Sequence, residues 1–75
     1  MSLSSIGVGA RRRIKAVTGN DAVRKRLGTL GFVEGVEMEV IHELNGNLVL
    51  GIMDSRVAID KALARRIQVQ EGRMK

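Results

Sequence analysis

The sequence has 75 residues, which is room for one domain, predicted to span residues 1–75 with a core at about 4–70. It contains no cysteine, so disulfides and thiolate metal sites are excluded. Its only aromatic residue, Phe32, excludes the aromatic platforms that stack single-stranded nucleic acid and the aromatic grooves that bind proline-rich peptides. A net charge of +5 fits an anionic partner and, equally well, a small domain that carries charge to stay soluble.

The apolar segments are short. The longest run, Leu48–Met53, has six residues, whereas a membrane-spanning helix needs about 20. No charged start followed by an apolar segment suggests a secretion signal. We therefore expect a cytoplasmic chain with no direct membrane insertion.

The first predicted strand covers Arg11 to Thr18, where polar and apolar residues alternate. Arg11, Arg13 and Lys15 share its outer face, and the alternation directs Arg12 inward beside Ile14. A charged residue that points inward needs either a bulge in the strand or a partner such as Glu71.

A helix is predicted after Gly19, with Asn20 or Asp21 as its N-cap. Its apolar stripe consists of Val23, Leu27 and Leu30 at the spacing i, i+4 and i+7. Gly31 stands where a left-handed C-cap is needed. Gly28, inside the helix, costs about 1 kcal/mol relative to alanine, so we expect either close packing there or an early end of the helix.

Four further strands follow, separated by turns. Val36 to Ile41 alternate with an acidic outer face, and Asn45-Gly46 predicts a two-residue hairpin turn. The remaining elements are predicted as follows: a strand at Asn47 to Met53, a turn at Asp54-Ser55, a strand at Arg56 to Ile59, a helical turn capped by Asp60 that ends at Leu63 or Ala64, a strand at Ile67 to Val69, and a frayed tail at 71–75. We therefore predict a mostly β fold with one short α-helix, a small five-stranded barrel whose closure removes exposed strand edges.

Catalytic and metal-binding patterns are not visible in the sequence. His42 is the only histidine, and its neighbour Glu43 points to the other face of a strand. Glu37 and Glu39 share a face and could bind a hard cation, but a solvated acidic face is the favoured interpretation. We expect no enzyme activity, no cofactor and no metal site, because no ligand spacing supports a bound transition metal.

One segment resembles a known family. Arg26-Leu27-x-x-Leu30-Gly31-Phe32-x-x-Gly35, followed by an alternating strand, is similar to the FeoA family of small cytosolic ferrous iron transport proteins. The resemblance continues through Val57-Ala58-Ile59 and covers residues 4 to 70. It implies an SH3-like barrel in which Leu27 and Leu30 dock the helix, Gly31 turns the chain, Phe32 fills the core and Gly35 opens the next strand. Glu34 stands where the family often has proline, and the loop at Asn45-Gly46-Asn47 is shorter than in many members.

The resemblance also implies a function. It suggests a cytoplasmic adaptor that binds the cytosolic G-protein part of a FeoB-type membrane transporter. The candidate contact residues are Arg24, Lys25 and Thr29 on the helix and Asn45 and Gly46 in the hairpin. The alternative is a detached regulatory module related to the C-terminal SH3-like domain of metal-dependent repressors. Electrostatic nucleic-acid binding through Arg11 to Lys15 ranks below both, so we expect no nucleic-acid partner, and self-association stays open.

Overall fold

A computed structural model describes Ser2–Gln70 of the chain. Its elements are a 3₁₀ turn at Leu3–Ser5, β1 at Arg11–Val17, α1 at Asp21–Thr29, β2 at Glu37–Leu44, β3 at Asn47–Ile52, β4 at Ser55–Asp60, α2 at Lys61–Ala64 and β5 at Ile67–Val69. This order is the one predicted from the sequence, with five strands and one longer helix. The frayed tail predicted at 71–75 lies outside the described residues.

The five strands form one antiparallel sheet in the order β4-β3-β2-β1-β5. Strand β1 has two partners in succession, because residues 11 to 13 pair with β2 and residues 14 to 17 pair with β5. This change of partner curls the sheet around its apolar face. The sequence predicts a barrel that is fully closed by hydrogen bonds. The sheet does not close in this way, because within residues 2–70 β4 and β5 remain its two edges.

The core lies inside the curled sheet. Phe32 is 1% exposed and is the largest of its fully buried side chains. The other buried residues come from every element: Leu3, Ile14, Leu27, Met38, Val40, Leu48, Leu50, Ile52, Ile59, Ala64, Ile67 and Val69. Each strand places its alternate apolar residues on this face, which is the pattern on which the strand predictions rest.

Helix α1 begins and ends at specific caps. The Asn20 side chain accepts a hydrogen bond from the Val23 amide at 2.9 Å, as an N-cap does. At the other end the Phe32 amide donates to the Leu27 carbonyl at 3.0 Å and the Gly31 amide donates to the Gly28 carbonyl at 3.0 Å, which is the Schellman pattern. Gly31 has φ +104, a conformation that favours glycine.

This helix end corrects two details of the sequence interpretation. No atom lies within 4 Å of the position that a Cβ on Gly28 would take. Close packing is therefore not the reason for this glycine, whereas the helix does end one residue later, at Thr29. The chain then reverses, so that Phe32 is buried while Leu30 keeps 36% of its surface exposed.

Both central hairpins have two-residue turns. Asn45 and Gly46 have φ values of 52 and 81, the left-handed pair of a type I′ turn, as predicted. The second turn is Met53-Asp54 rather than Asp54-Ser55, because Ile52 pairs with Ser55. Burial of alternate residues in β3 fixes this register. The register places Met53 in the turn at φ 54, although methionine has a poor turn propensity.

Candidate partner-binding surface

The outer face of α1 carries the three helical residues proposed to bind a partner. Arg24, Lys25 and Thr29 are all exposed. Arg24 forms an ion pair with Asp21 one turn earlier, and the Thr29 hydroxyl donates to the Lys25 carbonyl at 2.9 Å. Lys25 forms no ion pair within residues 2–70, so its ammonium group is the charge that this face offers to a partner.

The hairpin at Asn45 and Gly46 lies at the other end of β3 from α1. A Cβ on Gly31, just after the helix, would lie 3.9 Å from Ile52 Cδ1, at the C-terminal end of β3. The hairpin precedes Asn47, the first residue of the same strand. Five residue steps in a strand span roughly 17 Å. The structure therefore does not join the helical and hairpin candidates into one patch.

Exposed apolar side chains gather at the end of α1. Leu30 is 36% exposed, Val33 is 48% exposed and Met53 is 70% exposed. Leu30 and Val33 flank Gly31, whose Cβ position lies 3.9 Å from Ile52 Cδ1, and Met53 follows Ile52 directly. We call Lys25, Thr29, Leu30, Val33 and Met53 the helix-end surface. The sequence interpretation missed the last three as surface residues: it placed Leu30 in the apolar stripe of the helix and Met53 at the end of a strand, and it gave Val33 no role.

A shallow groove of about 250 Å³ continues from this surface across the outer face of β1, β2 and β3. Its lining residues are Arg11, Glu37, Met38, Glu39, Gly51 and Met53. The Arg11 guanidinium and the Glu39 carboxylate approach to 3.5 Å across its wall. Met53 thus belongs both to the groove and to the helix-end surface, and an occupant of one would contact the other.

The basic stripe on β1 is partly occupied by internal contacts. Arg11 pairs with Glu39, and the Arg13 guanidinium donates to the Gly35 carbonyl at 2.8 Å. Lys15 is exposed. Because Arg11, one of the three cations on this face, is paired with a carboxylate, the stripe offers a nucleic acid less free charge than the sequence suggests.

Arg12 points inward, as the alternation of β1 predicts. It is half-buried, one guanidinium nitrogen donates to the Arg11 carbonyl at 2.7 Å, and its buried Nε has no hydrogen-bond partner within residues 2–70. The register of β1 shifts between Ile14 and Ala16, away from Arg12, so the bulge does not explain this orientation. Glu71, the acid suggested as its partner, lies outside the described residues.

The part of the chain that the structure describes contains no group of three or more His, Cys, Asp or Glu side chains that could hold a metal ion. His42 is exposed on β2. Glu37 and Glu39 line the groove, and Glu39 faces Arg11 rather than a further acid. Across Ser2–Gln70, no helix is both long and apolar enough to cross a membrane.

Comparison with known proteins assigns the family. Residues 1–71 match the family model of the FeoA domain. The chain belongs to the FeoA family. This agrees with the resemblance carried by Leu27, Leu30 and Phe32, and no curated protein gives a sequence match.

Solved FeoA structures share the whole fold. One FeoA, an iron uptake regulatory protein, has 25% identity and a TM-score of 0.87 over 93% of this chain and 95% of that one. FeoA of Stenotrophomonas maltophilia, solved with zinc, has 28% identity and a TM-score of 0.82 over 93% of this chain and 89% of that one. That protein is an SH3 domain protein for which a role as a ferrous iron transport activating factor has been suggested. The predicted SH3-like fold is thereby confirmed.

A likeness to metal-dependent repressors extends to the fold alone. A manganese-dependent transcriptional repressor has 14% identity and a TM-score of 0.86 over 93% of this chain, which corresponds to 35% of the repressor. The predicted relation in fold is therefore present. The likeness carries no function across at this identity, so the detached regulatory module stays a prediction.

Proposed function

We propose that this FeoA protein is an accessory factor of ferrous iron uptake that binds the cytosolic G-protein part of a FeoB-type transporter. The family match links the chain to ferrous iron transport. The observation that carries the proposal is the helix-end surface, where three exposed apolar side chains lie at the end of the helix that also carries Lys25, a lysine without an ion pair within residues 2–70. We expect action by docking, without catalysis and without a resident cofactor.

The composition of the helix-end surface suits a protein partner. Interfaces between proteins have an apolar centre and a polar rim, and Leu30, Val33 and Met53 would supply the centre here. Lys25 and Thr29 would supply the rim. Met53 is the most exposed of the large apolar residues, at 70%, and methionine adapts its flexible side chain to irregular surfaces. The partner patch is accordingly expected to be apolar with an acidic margin that faces Lys25.

A titration against the purified cytosolic domain of the transporter tests the proposal. The informative pair of variants is Val33→Asp and Leu44→Asp, because both replace an exposed apolar residue by the same charge at opposite ends of β3. Val33 is 48% exposed at the helix end, and Leu44 is 58% exposed beside the hairpin turn. Calorimetry should show at least about a tenfold loss of affinity for Val33→Asp and little change for Leu44→Asp.

A loss of affinity in the control variant would move the contact to another surface. Loss of binding in Leu44→Asp alone would assign the contact to the Asn45 and Gly46 hairpin and remove the helix-end surface from the proposal. The absence of any heat or mobility change for the unaltered chain at high micromolar concentration, with and without guanine nucleotide, would contradict docking to this partner.

A further inference from the structure

Strand β4 forms a free edge of the sheet. It pairs with β3 on one side only, in the register Ile52 with Ser55 through Asn47 with Asp60. No backbone hydrogen bond outside this ladder and outside α2 involves residues 55 to 60 in the described part of the chain. The edge therefore presents unpaired peptide groups, which are a template for another strand.

The hairpin geometry identifies which peptide groups face outward. In a two-residue hairpin the closing pair exchanges both backbone hydrogen bonds, and bonded and non-bonded pairs then alternate. Ile52 and Ser55 close the hairpin, so Arg56, Ala58 and Asp60 turn their amides away from β3. The other hairpin agrees, because Leu44 and Asn47 close it and Asn47 is thus bonded to β2 rather than to Asp60.

The outward residues are complementary to themselves about Ala58. In an antiparallel pair of two β4 strands with Ala58 opposite Ala58, Arg56 of one copy stands opposite Asp60 of the other. The same opposition recurs on the other side of the two-fold axis. All three side chains are exposed on the outer face, while Val57 and Ile59 face the core side. Opposite charges directly across a strand pair stabilise it, and alanine at the axis leaves no steric obstacle.

We propose that β4 pairs edge to edge with β4 of a second copy, in the register centred on Ala58. The pairing is isologous and joins two five-stranded sheets into one of ten strands. Four backbone hydrogen bonds join the two copies. Two connect the Ala58 residues, and in the other two the Asp60 amide of each copy donates to the Arg56 carbonyl of the other. The Asp60 carbonyl itself begins α2 and is not available, because Asp60 is the N-cap of that helix.

An alternative role for these charges is to keep the edge unpaired, as charged residues do at many sheet edges. Charges of one sign would serve that purpose at any register. Arg56 and Asp60 instead carry opposite signs at positions related by the two-fold axis, and Arg56 forms no ion pair within residues 2–70. This arrangement favours one pairing partner, another copy of this chain. The inference does not depend on the proposed transporter contact.

Sedimentation equilibrium and hydrogen exchange measured against protein concentration test the pairing. We expect a reversible dimer that forms at or below about 1 mM, in which the Ala58 and Asp60 amides gain protection as dimer accumulates. The Val57 amide faces β3 and is the internal reference, since it stays protected at every concentration. A chain that remains monomeric up to this concentration would overturn the proposal.

Two variants place the interface at β4. Arg56→Glu sets Glu opposite Asp60 twice and should raise the dissociation constant by about tenfold or more, while Lys15→Glu makes the same charge change on β1 and should leave it unaltered. Ala58→Pro removes an outward amide that the fold does not use, a position where an edge strand tolerates proline, and should abolish the dimer. A dimer that survives both changes uses another surface and refutes the inference.

Mixing two variants gives the sharpest test. Arg56→Glu and Asp60→Lys should each dimerise more weakly than the unaltered chain, yet pair tightly with one another, because both cross-strand positions then hold opposite charges. Asp60→Lys removes the α2 cap, so its folding is checked by circular dichroism, and Asp60→Asn, which keeps a capping side chain, replaces it if it is unfolded. With Asp60→Asn the mixed dimer should be tighter than the Arg56→Glu homodimer. Absence of this rescue, or protection of the Ala58 and Asp60 amides only by the transporter domain, would reject pairing between copies.

Discussion

The side chain of Ile41 lies across Gly51. A Cβ at position 51 would stand 3.0 Å from Ile41 Cδ1. Ile41 occupies the point at which the register of β2 against β3 shifts, between Val40 and His42. A bulge of this kind redirects one side chain of the strand, and here that side chain covers the one residue of β3 without a Cβ. The absence of a side chain at residue 51 and the bulge at residue 41 are therefore coupled.

Gly51→Ala should leave the free energy of unfolding close to that of the unaltered chain. Alanine in a strand is favoured over glycine by about 0.5–1 kcal/mol through the entropy of the unfolded chain, and crowding against Ile41 offsets this gain. In the Ile41→Ala background the crowding is gone, so Gly51→Ala should stabilise by about that amount. Urea denaturation of the unaltered chain, the two single variants and the double variant measures the coupling between residues 41 and 51. If the two changes in unfolding free energy simply add, the residues are not coupled.

Gly28 and Gly31 should respond oppositely to the same substitution. Gly28 has open space around its Cβ position, so Gly28→Ala should stabilise the fold by about 0.5–1 kcal/mol. Gly31 has φ +104, so Gly31→Ala should destabilise by about 1 kcal/mol or more. Thermal unfolding resolves both, because 1 kcal/mol shifts the midpoint by about 4–8 °C in a domain of this size. A stabilised Gly31→Ala variant would exclude the Schellman cap.

Leu27 and Leu30 should differ strongly when truncated, although both belong to the family motif. Leu27 is fully buried, and its replacement by alanine should cost about 2–5 kcal/mol. Leu30 is 36% exposed, and Leu30→Ala should cost less than about 1 kcal/mol while it weakens binding to the transporter domain. Equal losses of stability in denaturant titrations would show that the helical stripe docks as a whole.

The strands and caps of this chain follow from short-range physics, and the sequence predicts them well. Asn45-Gly46 specifies its turn because both residues accept positive φ, and Asn20 and Asp60 cap helices through a side-chain oxygen close to the amide that it satisfies. The bulge at Ile41 and the turn at Met53 depend instead on which residues of β2 and β3 are buried together. That information is tertiary, so the sequence placed the second turn one residue late.

The candidate site was less predictable than the fold. The sequence identified the exposed face of α1, because Arg24, Lys25 and Thr29 lie off its apolar stripe. Periodicity and the family resemblance both had Leu30 dock the helix, but after the Schellman turn Leu30 is 36% exposed, whereas Phe32, which the resemblance placed in the core, is buried. Gly31 lies close to Ile52, since a Cβ at position 31 would stand 3.9 Å from Ile52 Cδ1, and this brings Met53 to the same end of the barrel. No local pattern in either segment reveals that proximity.

Met53 combines an unfavourable backbone with an exposed side chain. Its φ is 54, a region that costs a bulky residue about 1–2 kcal/mol, and it is 70% exposed. Such strain persists only where the surrounding structure imposes it, here the register of β3, and it is frequent at functional sites. Met53→Asn should therefore raise the free energy of unfolding by up to about 1 kcal/mol, because asparagine tolerates this conformation, and should lower affinity for the transporter domain.

Asn45 provides the reciprocal control for Met53, since its φ is 52 in the other two-residue turn. Asn45→Met should lower the free energy of unfolding by about the amount that Met53→Asn raises it. Denaturant titration gives the stabilities, and calorimetry with the transporter domain gives the affinities. If Met53→Asn gains stability and keeps full affinity, Met53 contributes strain without contact, and the helix-end surface loses its most exposed member. If it loses affinity while Asn45→Met does not, the strained turn is retained for binding.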